Sequence, residues 1–144
     1  MLFRSGALLL READRQLGLM SQVADTVEDH RRQDMVQHSM LSILQQRVYG
    51  IALGYEDLND HQELRKDSAI QTAVDRLGWL ASASTLCRME NQTSRATAVE
   101  IHKVMVEQFI ASFDKPPKKL ILDFDATDDA VHGNQQGRFF PWVL

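Results

Sequence analysis

The chain changes character within the stretch Asp114-Lys115-Pro116-Pro117-Lys118-Lys119-Leu120-Ile121-Leu122-Asp123-Phe124-Asp125-Ala126-Thr127. Neither proline can donate a backbone hydrogen bond, and each disfavours the helical region for the residue before it. From Leu120 onward the pattern predicts a strand, because Asp123, Asp125 and Thr127 alternate with apolar residues and so share one face. The stretch therefore predicts the end of a helical region and the beginning of a sheet.

Upstream of the prolines the apolar residues recur at the three- and four-residue steps of amphipathic helices. One strongly apolar helix is predicted to open at Ser39, a suitable N-cap, and to end near Gly54, a suitable C-cap. The longest helix is predicted from Thr93 or Ser94 to Phe113. Shorter helices are predicted over 7–19, 21–29, 62–66, 68–77 and 85–91. The predicted inward-facing residues of the two longest helices are Leu41, Leu44, Val48, Ile51 and Ala52, and Ala98, Ile101, Met105, Phe109 and Phe113.

Downstream of the prolines the pattern predicts the beginning of a second domain. Residues 128–137 are rich in Asp, Asn, Gln and Gly and predict a turn, after which a second strand opens at Arg138. The two strands would pair as a hairpin. We therefore predict a mainly α fold, with a helical region at 1–115 and the start of a sheet-containing domain at 116–144. The second region is too short to bury a core of its own.

Composition limits the classes of protein to which the chain can belong. It has 144 residues, of which 44% are hydrophobic and 25% charged, and a formal net charge of −4. These values are typical of one globular domain and argue against a strongly basic arm that binds nucleic acid by charge alone. The apolar runs are shorter than the roughly 18–20 residues that span a bilayer. A single cysteine, Cys87, predicts a reducing compartment, so we expect a cytoplasmic protein.

Asp123 and Asp125 are the strongest candidates for chemistry. Carboxylates on one strand face repel each other unless a cation or water relieves them. Hard divalent cations such as Mg²⁺ prefer oxygen ligands and use one or two protein carboxylates each. Pairs of such ions catalyse phosphoryl transfer. The alternative is a strand end whose aspartates are hydrated, with Asp128 and Asp129 in a turn.

Several blocks of this sequence resemble bacterial insertion-sequence DDE transposases. Residues 122–129 (LDFDATDD) and 131–140 (VHGNQQGRFF) are similar to the first catalytic block of that family. Residues 8–12 (LLLRE), 46–57 (QRVYGIALGYED) and 85–91 (TLCRMEN) are similar to its N-terminal region. The blocks occur in one order from about Gly6 to Phe140, so the resemblance covers nearly the whole chain.

The resemblance implies a cut-and-paste DNA transposase, in which residues 116–144 form the first β-hairpin of a truncated ribonuclease-H-like α/β domain. In that family two Asp and one Glu hold two Mg²⁺ ions, and the enzyme cleaves DNA at the element's ends and joins the 3′-hydroxyl to target DNA. The first catalytic Asp precedes a Thr or Ser by two residues, which assigns that role to Asp125 beside Thr127. Asp123 is the second choice of metal ligand because it lies on the same face.

The resemblance also implies that the second Asp and the Glu lie beyond residue 144. Because one carboxylate cannot build a two-metal site, we expect this polypeptide alone to be a truncated and inactive transposase. It would bind element-end DNA and pair with itself or with a full-length transposase. The alternatives are a non-catalytic helical DNA-binding or dimerisation module, and a pseudogene remnant.

A second candidate site is the segment from Thr72 to Asn91, which resembles a helix–turn–helix. Its second helix would present Arg88 and Asn91 to DNA, since Arg and Asn are residue types that contact bases and phosphates. The alternative is an ordinary connection between helices with a solvated polar face. The basic pair Arg31-Arg32 is interpreted as a solvated surface rather than a DNA contact, and Trp79 as an anchor of the helical core.

Overall fold

The structure is a computed structural model that describes residues 6–122. This part of the chain is helical and contains no strand. Its seven α-helices are α1 (Gly6–Leu17), α2 (Leu19–Thr26), α3 (Met40–Ala52), α4 (His61–Leu64), α5 (Ser68–Ala73), α6 (Ala83–Gln92) and α7 (Arg95–Ala111). Short 3₁₀ turns lie at Gln33–Met35 and Leu58–Asp60. None of the described helices is both long enough and apolar enough to cross a membrane.

The ends of the two longest helices follow the predicted capping residues. The Ser39 side chain accepts a hydrogen bond from the Ser42 backbone N–H at the start of α3, and the Ser94 side chain accepts one from Thr97 at the start of α7. Gly54 follows α3 with φ +90°, a conformation that favours glycine. The predicted start of α3, its glycine cap and the Ser94 cap are thus confirmed.

Two other helix boundaries differ from the prediction, each because of a residue in the left-handed region. The first helix stops before Gly18, whose φ is +64°, and α2 begins immediately after it. Helix α5 stops at Ala73 instead of continuing to Leu77, because Asp75 has φ +53° and the next N–H bonds back to the Gln71 carbonyl at 2.9 Å. This pair of features is a Schellman-type helix end built around a non-glycine residue.

The core is formed by packing of α1 on α5, of α2 on α3 and α7, and of α6 on the second 3₁₀ turn. The inward face of α3 differs from the predicted apolar line, since Val48 and Ile51 are exposed. The predicted inward residue Leu44 is buried, which confirms that part of the prediction. The other buried residues of α3 are Ser42, Ile43, Gln46, Tyr49 and Gly50. A polar residue, Gln46, and a glycine, Gly50, are therefore buried on the inward face of α3. The periodicity of apolar residues could not indicate this.

Helix α7 also departs from its predicted orientation. Val104 is its buried residue and Ile101 packs partly against the core, whereas the predicted core residues Met105 and Phe109 are about half exposed. The rings of Phe109 and Phe113 contact each other edge to face, with centroids 5.1 Å apart. Because α7 has apolar residues around most of its circumference, one line of them contacts α2 and the others remain on the surface.

The chain divides into two compact units, Met1–Asp114 and Lys115–Leu144. The predicted hairpin is not seen in the described residues: the segment 120–122, where the first strand was predicted to open, is exposed and has no strand geometry. The rest of the predicted hairpin, including Asp123 and Asp125, lies outside the described residues. Within residues 6–122 the mainly α prediction is confirmed.

Candidate nucleic-acid interface

Helix α6 carries the predicted DNA-contacting residue Arg88 on its exposed side. The Arg88 guanidinium bonds within its own helix, to the Ser84 carbonyl at 3.2 Å and the Thr85 hydroxyl at 3.3 Å. Within residues 6–122 no carboxylate forms an ion pair with it. Its two contacts are with neutral oxygens, so its positive charge is available to an anion from solvent.

The segment between α2 and α3 places a second arginine opposite α6. Arg31 donates two hydrogen bonds to the Asp29 carboxylate, both at 2.6 Å, and one to the His38 carbonyl at 2.9 Å. The guanidinium of Arg31 holds the pKa of Asp29 well below its usual range, mainly through the side-chain hydrogen bonds. This bidentate pair fixes the connecting segment, because planar guanidinium and carboxylate groups match in geometry.

Two adjoining cavities lie between this segment and α6. They share Arg31, Thr85 and Arg88 in their lining and have volumes of about 170 and 270 Å³. The larger one is also lined by Arg32 and His38. The two cavities form a groove that we call the arginine groove, defined by Arg31, Arg32, His38, Thr85 and Arg88. Two basic features that lie far apart in the sequence therefore meet on one surface.

The pKa of His38, which lines the arginine groove, is lowered by its surroundings. Burial lowers its pKa, and the positive charges of Arg76, Arg65 and Arg31 lower it further. The imidazole is therefore neutral at pH 7, and its buried Nδ1 has no hydrogen-bond partner in the described part of the chain. Of these three arginines, Arg65 and Arg76 form no ion pair with a carboxylate of residues 6–122.

The arrangement suits a phosphate group better than a metal ion. Arg88 can offer two parallel N–H donors to phosphate oxygens, the geometry in which arginine binds oxyanions best. Arg32 pairs with Asp34 at 2.8 Å, but both side chains are mostly exposed. Exposed pairs contribute little to stability, so a phosphate could replace the carboxylate at small cost. Between residues 6 and 122 no cluster of three His, Cys, Asp or Glu side chains is placed to hold a metal.

A buried hydrogen-bond network holds the start of α6 in place. The Gln46 amide bonds both backbone groups of Ala81, accepting from its N–H and donating to its carbonyl, each at 2.9 Å. The amide nitrogen also lies 3.4 Å from Nδ1 of His61. Gln46, His61 and Ala81 are each 1% exposed or less. Because Ala81 lies two residues before α6, this network sets where Arg88 projects.

The helices that carry the three N-terminal blocks of the resemblance are joined by side-chain contacts. The Tyr49 hydroxyl of α3 donates to the Asp14 carboxylate of α1 at 2.9 Å, and burial together with this bond raises the pKa of Tyr49. Arg47 of α3 pairs with Glu90 of α6 at 2.5 Å. These two side-chain contacts therefore link α3 to α1 and to α6.

The other predicted site residues are not brought to the arginine groove. Asn91 is exposed, donates to Cys87 Sγ at 3.2 Å and lines neither cavity. The connection between α5 and α6 runs from Val74 to Ser82, longer than the three- to four-residue turn of a helix–turn–helix. The segment therefore lacks the short turn of a helix–turn–helix, and the DNA-contact roles of Arg88 and Asn91 stay predictions. Asp123 and Asp125 lie outside the described residues, so their assignment stays a prediction.

Sequence reasoning missed His38 as a lining residue of the groove, and it missed Arg65 and Arg76, whose charges act on His38. His38, Arg65 and Arg76 occur singly and carry no motif. Trp79, interpreted as a core anchor, is 61% exposed instead, because the adjacent Leu80 is the residue that enters the core. The residue type of Trp79 led to the prediction that it is buried. In the structure the preceding Gly78 has a left-handed backbone conformation, and the Trp79 ring lies on the surface.

Comparison with known proteins gives one match. The sequence model of a family described as "Transposase DDE domain group 1" matches residues 3–142. No curated protein and no solved structure matches the chain at a significant level.

Proposed function

We propose that this chain, which belongs to the transposase DDE domain family, acts in DNA transposition by binding the ends of a mobile DNA element. The observation that carries the proposal is the family match, which extends over residues 3–142. The match includes both the helical region and the predicted catalytic block. The proposal therefore has two parts, a DNA-binding helical region and a metal-binding carboxylate.

For the helical region, the arginine groove supports contact with the phosphate backbone. Arg88 has no competing carboxylate among residues 6–122, and Arg31 is held rigidly opposite it by Asp29. Phosphate contacts position a protein on DNA and supply most of its salt-dependent affinity. We assign Arg88 to such a contact. Asn91, exposed one turn further along α6, stays a proposed DNA contact that rests on its residue type alone.

For the chemistry, we assign the first metal-binding carboxylate to Asp125, with Asp123 as a second ligand. Transposases of this family use a divalent metal, and Mg²⁺ is the ion whose ligand preference the two carboxylates match. When bound, such an ion stabilises the charge that develops on oxygen during phosphodiester cleavage. Asp125 would hold the ion.

Two measurements test these assignments. Titration of labelled element-end duplex with the Arg88→Ala variant should show weaker binding, and the slope of log K against log salt should fall by about one. Lys103→Ala is the matched control, because it removes an exposed positive charge of α7 that already pairs with Glu100 at 2.7 Å. Equal affinity of the two variants would remove Arg88 from the interface. Mg²⁺-dependent nicking that Asp125→Ala abolishes would support the Asp125 assignment and contradict the inactivity that the resemblance implies, whereas nicking that this variant retains would remove the assignment.

The second candidate function is that of a non-catalytic module that pairs with another copy or with a longer transposase. Exposed apolar residues on α7, among them Phe109 and Ile110, favour this alternative, because monomeric proteins rarely expose a large apolar surface. Sedimentation of the purified chain with and without element-end DNA separates the two functions. A stable dimer that does not bind DNA would support the module without a DNA-binding role.

A further inference from the structure

The loop between α5 and α6 holds two apolar side chains in solvent. Leu77 is fully exposed and Trp79 is 61% exposed. The loop is nevertheless fixed at both ends. On one side Asp75 accepts two hydrogen bonds from Arg15, at 3.1 and 3.2 Å. On the other side the Leu80 N–H donates to the Arg65 carbonyl at 3.0 Å. The exposure of Trp79 is therefore set by a well-anchored backbone.

The Trp79 ring is flanked by two positive charges. The guanidinium carbon of Arg65 lies 5.0 Å from the ring centroid, and Nζ of Lys66 lies 5.9 Å from it. Lys66 also pairs with Glu63 at 3.0 Å, whereas Arg65 has no carboxylate ion-pair partner in the described chain. Both distances are within the range of cation–π contact. With both cations in place, most of the tryptophan side chain is still accessible to solvent.

This combination is that of a platform for stacking a nucleic-acid base. Aromatic rings stack on bases of any sequence, and neighbouring cations contact the phosphates on either side. A single exposed apolar residue is ordinary on protein surfaces. An exposed tryptophan that contacts both an arginine and a lysine, on a loop with fixed ends, is a more specific indication of a binding site.

We propose that the loop around Trp79 binds unpaired DNA, with one base stacked on the Trp79 ring and the adjacent phosphates contacted by Arg65 and Lys66. The inference rests on the proposed function, since it assigns a second DNA contact to the same helical region. It adds a substrate class, single-stranded or unpaired DNA, that the arginine groove by itself does not require. Acidic protein segments would use the cations but would have no base to stack on the ring.

Tryptophan fluorescence tests the inference directly. Because the chain has two tryptophans, the measurement uses the Trp142→Phe background, so that emission comes from Trp79. A thymidine oligonucleotide should quench this emission. Fluorescence anisotropy of a labelled thymidine oligonucleotide gives the affinity of the variants without a tryptophan, and Trp79→Ala should weaken binding about 10-fold or more. Trp79→Phe, which keeps an aromatic ring, should retain most of the affinity. Matching thermal melts of the variants establish that the fold is intact.

Three probes decide whether the base is recognised. An abasic oligonucleotide of the same length keeps the phosphates and should bind Trp79→Ala and its parent equally. Quenching by the abasic chain or by polyglutamate as strong as that by the thymidine oligonucleotide would overturn the stacking proposal. The element-end duplex is the third probe. If Arg88→Ala weakens duplex binding while Trp79→Ala leaves oligonucleotide binding unchanged, the loop inference fails and the proposed function stands. If neither variant loses binding, both the loop inference and the DNA contact assigned to Arg88 are wrong.

Discussion

Replacing Gln46 by leucine tests whether one buried amide fixes the position of α6. Leucine has nearly the same size, so the substitution removes hydrogen bonds with little change of volume. It leaves the N–H and the carbonyl of Ala81 buried without partners. Each unsatisfied buried group costs about 1–3 kcal/mol. The added apolar surface of leucine offsets part of this, so we expect the free energy of unfolding to fall by about 2–5 kcal/mol.

The assay is urea denaturation followed by circular dichroism, with native-state hydrogen exchange at the Ala81 N–H as the local readout. The free energy of opening measured by exchange at this amide should fall at least as much as the free energy of global unfolding. Gln62→Leu is the matched control, since Gln62 is exposed and has no side-chain hydrogen bond to another described residue. We expect that control to change stability by less than about 0.5 kcal/mol. Equal stability of the two variants would show that the amide does not hold the connection.

Three further predictions concern the same core. Gly50→Ala should lower the free energy of unfolding by about 1–3 kcal/mol in chemical denaturation, because the new Cβ would lie 2.7 Å from Cε1 of the fully buried His61; an unchanged midpoint would contradict this packing. Burial lowers the pKa of His61, so the unfolded chain binds more protons below about pH 6.5 and stability should fall as the pH drops from there. His61→Gln should show a shallower pH dependence in the same series, and an equal slope would remove His61 as its source. Tyr49→Phe should cost about 1–2 kcal/mol by loss of the 2.9 Å bond to Asp14. Since the pKa of Tyr49 is raised in the fold, the wild type should lose stability above about pH 10 and this loss should be smaller in Tyr49→Phe, as alkaline melts can measure.

The parts of the fold that could be predicted are those that depend on residues close together in sequence. Ser39 and Ser94 bond to N–H groups three residues away. Gly54, two residues after the end of α3, supplies the left-handed residue. Such local interactions have a fixed spacing, so they can be recognised without knowledge of the tertiary structure. The prediction failed at Asp75, where a non-glycine residue adopts the left-handed conformation. There Arg11 and Arg15 of another helix bind its carboxylate.

The inward faces of the helices were predicted less well than their ends. Apolar periodicity selected Val48 and Ile51 on α3, but the buried positions include Gln46 and Gly50. Gln46 is buried because Ala81, 35 residues later, needs hydrogen-bond partners. Gly50 is buried because His61 packs against its Cα. Both reasons involve a partner from another segment, and neither is visible in the residue types of α3.

The sequence by itself determined the family, the helical character of the first region and the choice of Arg88 as a DNA-contact candidate. Each of these follows from residue identity and spacing along the chain. The tertiary structure decided which charges share a surface: it brought Arg31 and His38 to Arg88, and it turned Trp79 outwards beside Arg65. The physical reason is that long-range contacts are set by how the helices pack on one another. That packing depends on buried polar groups finding partners across the chain.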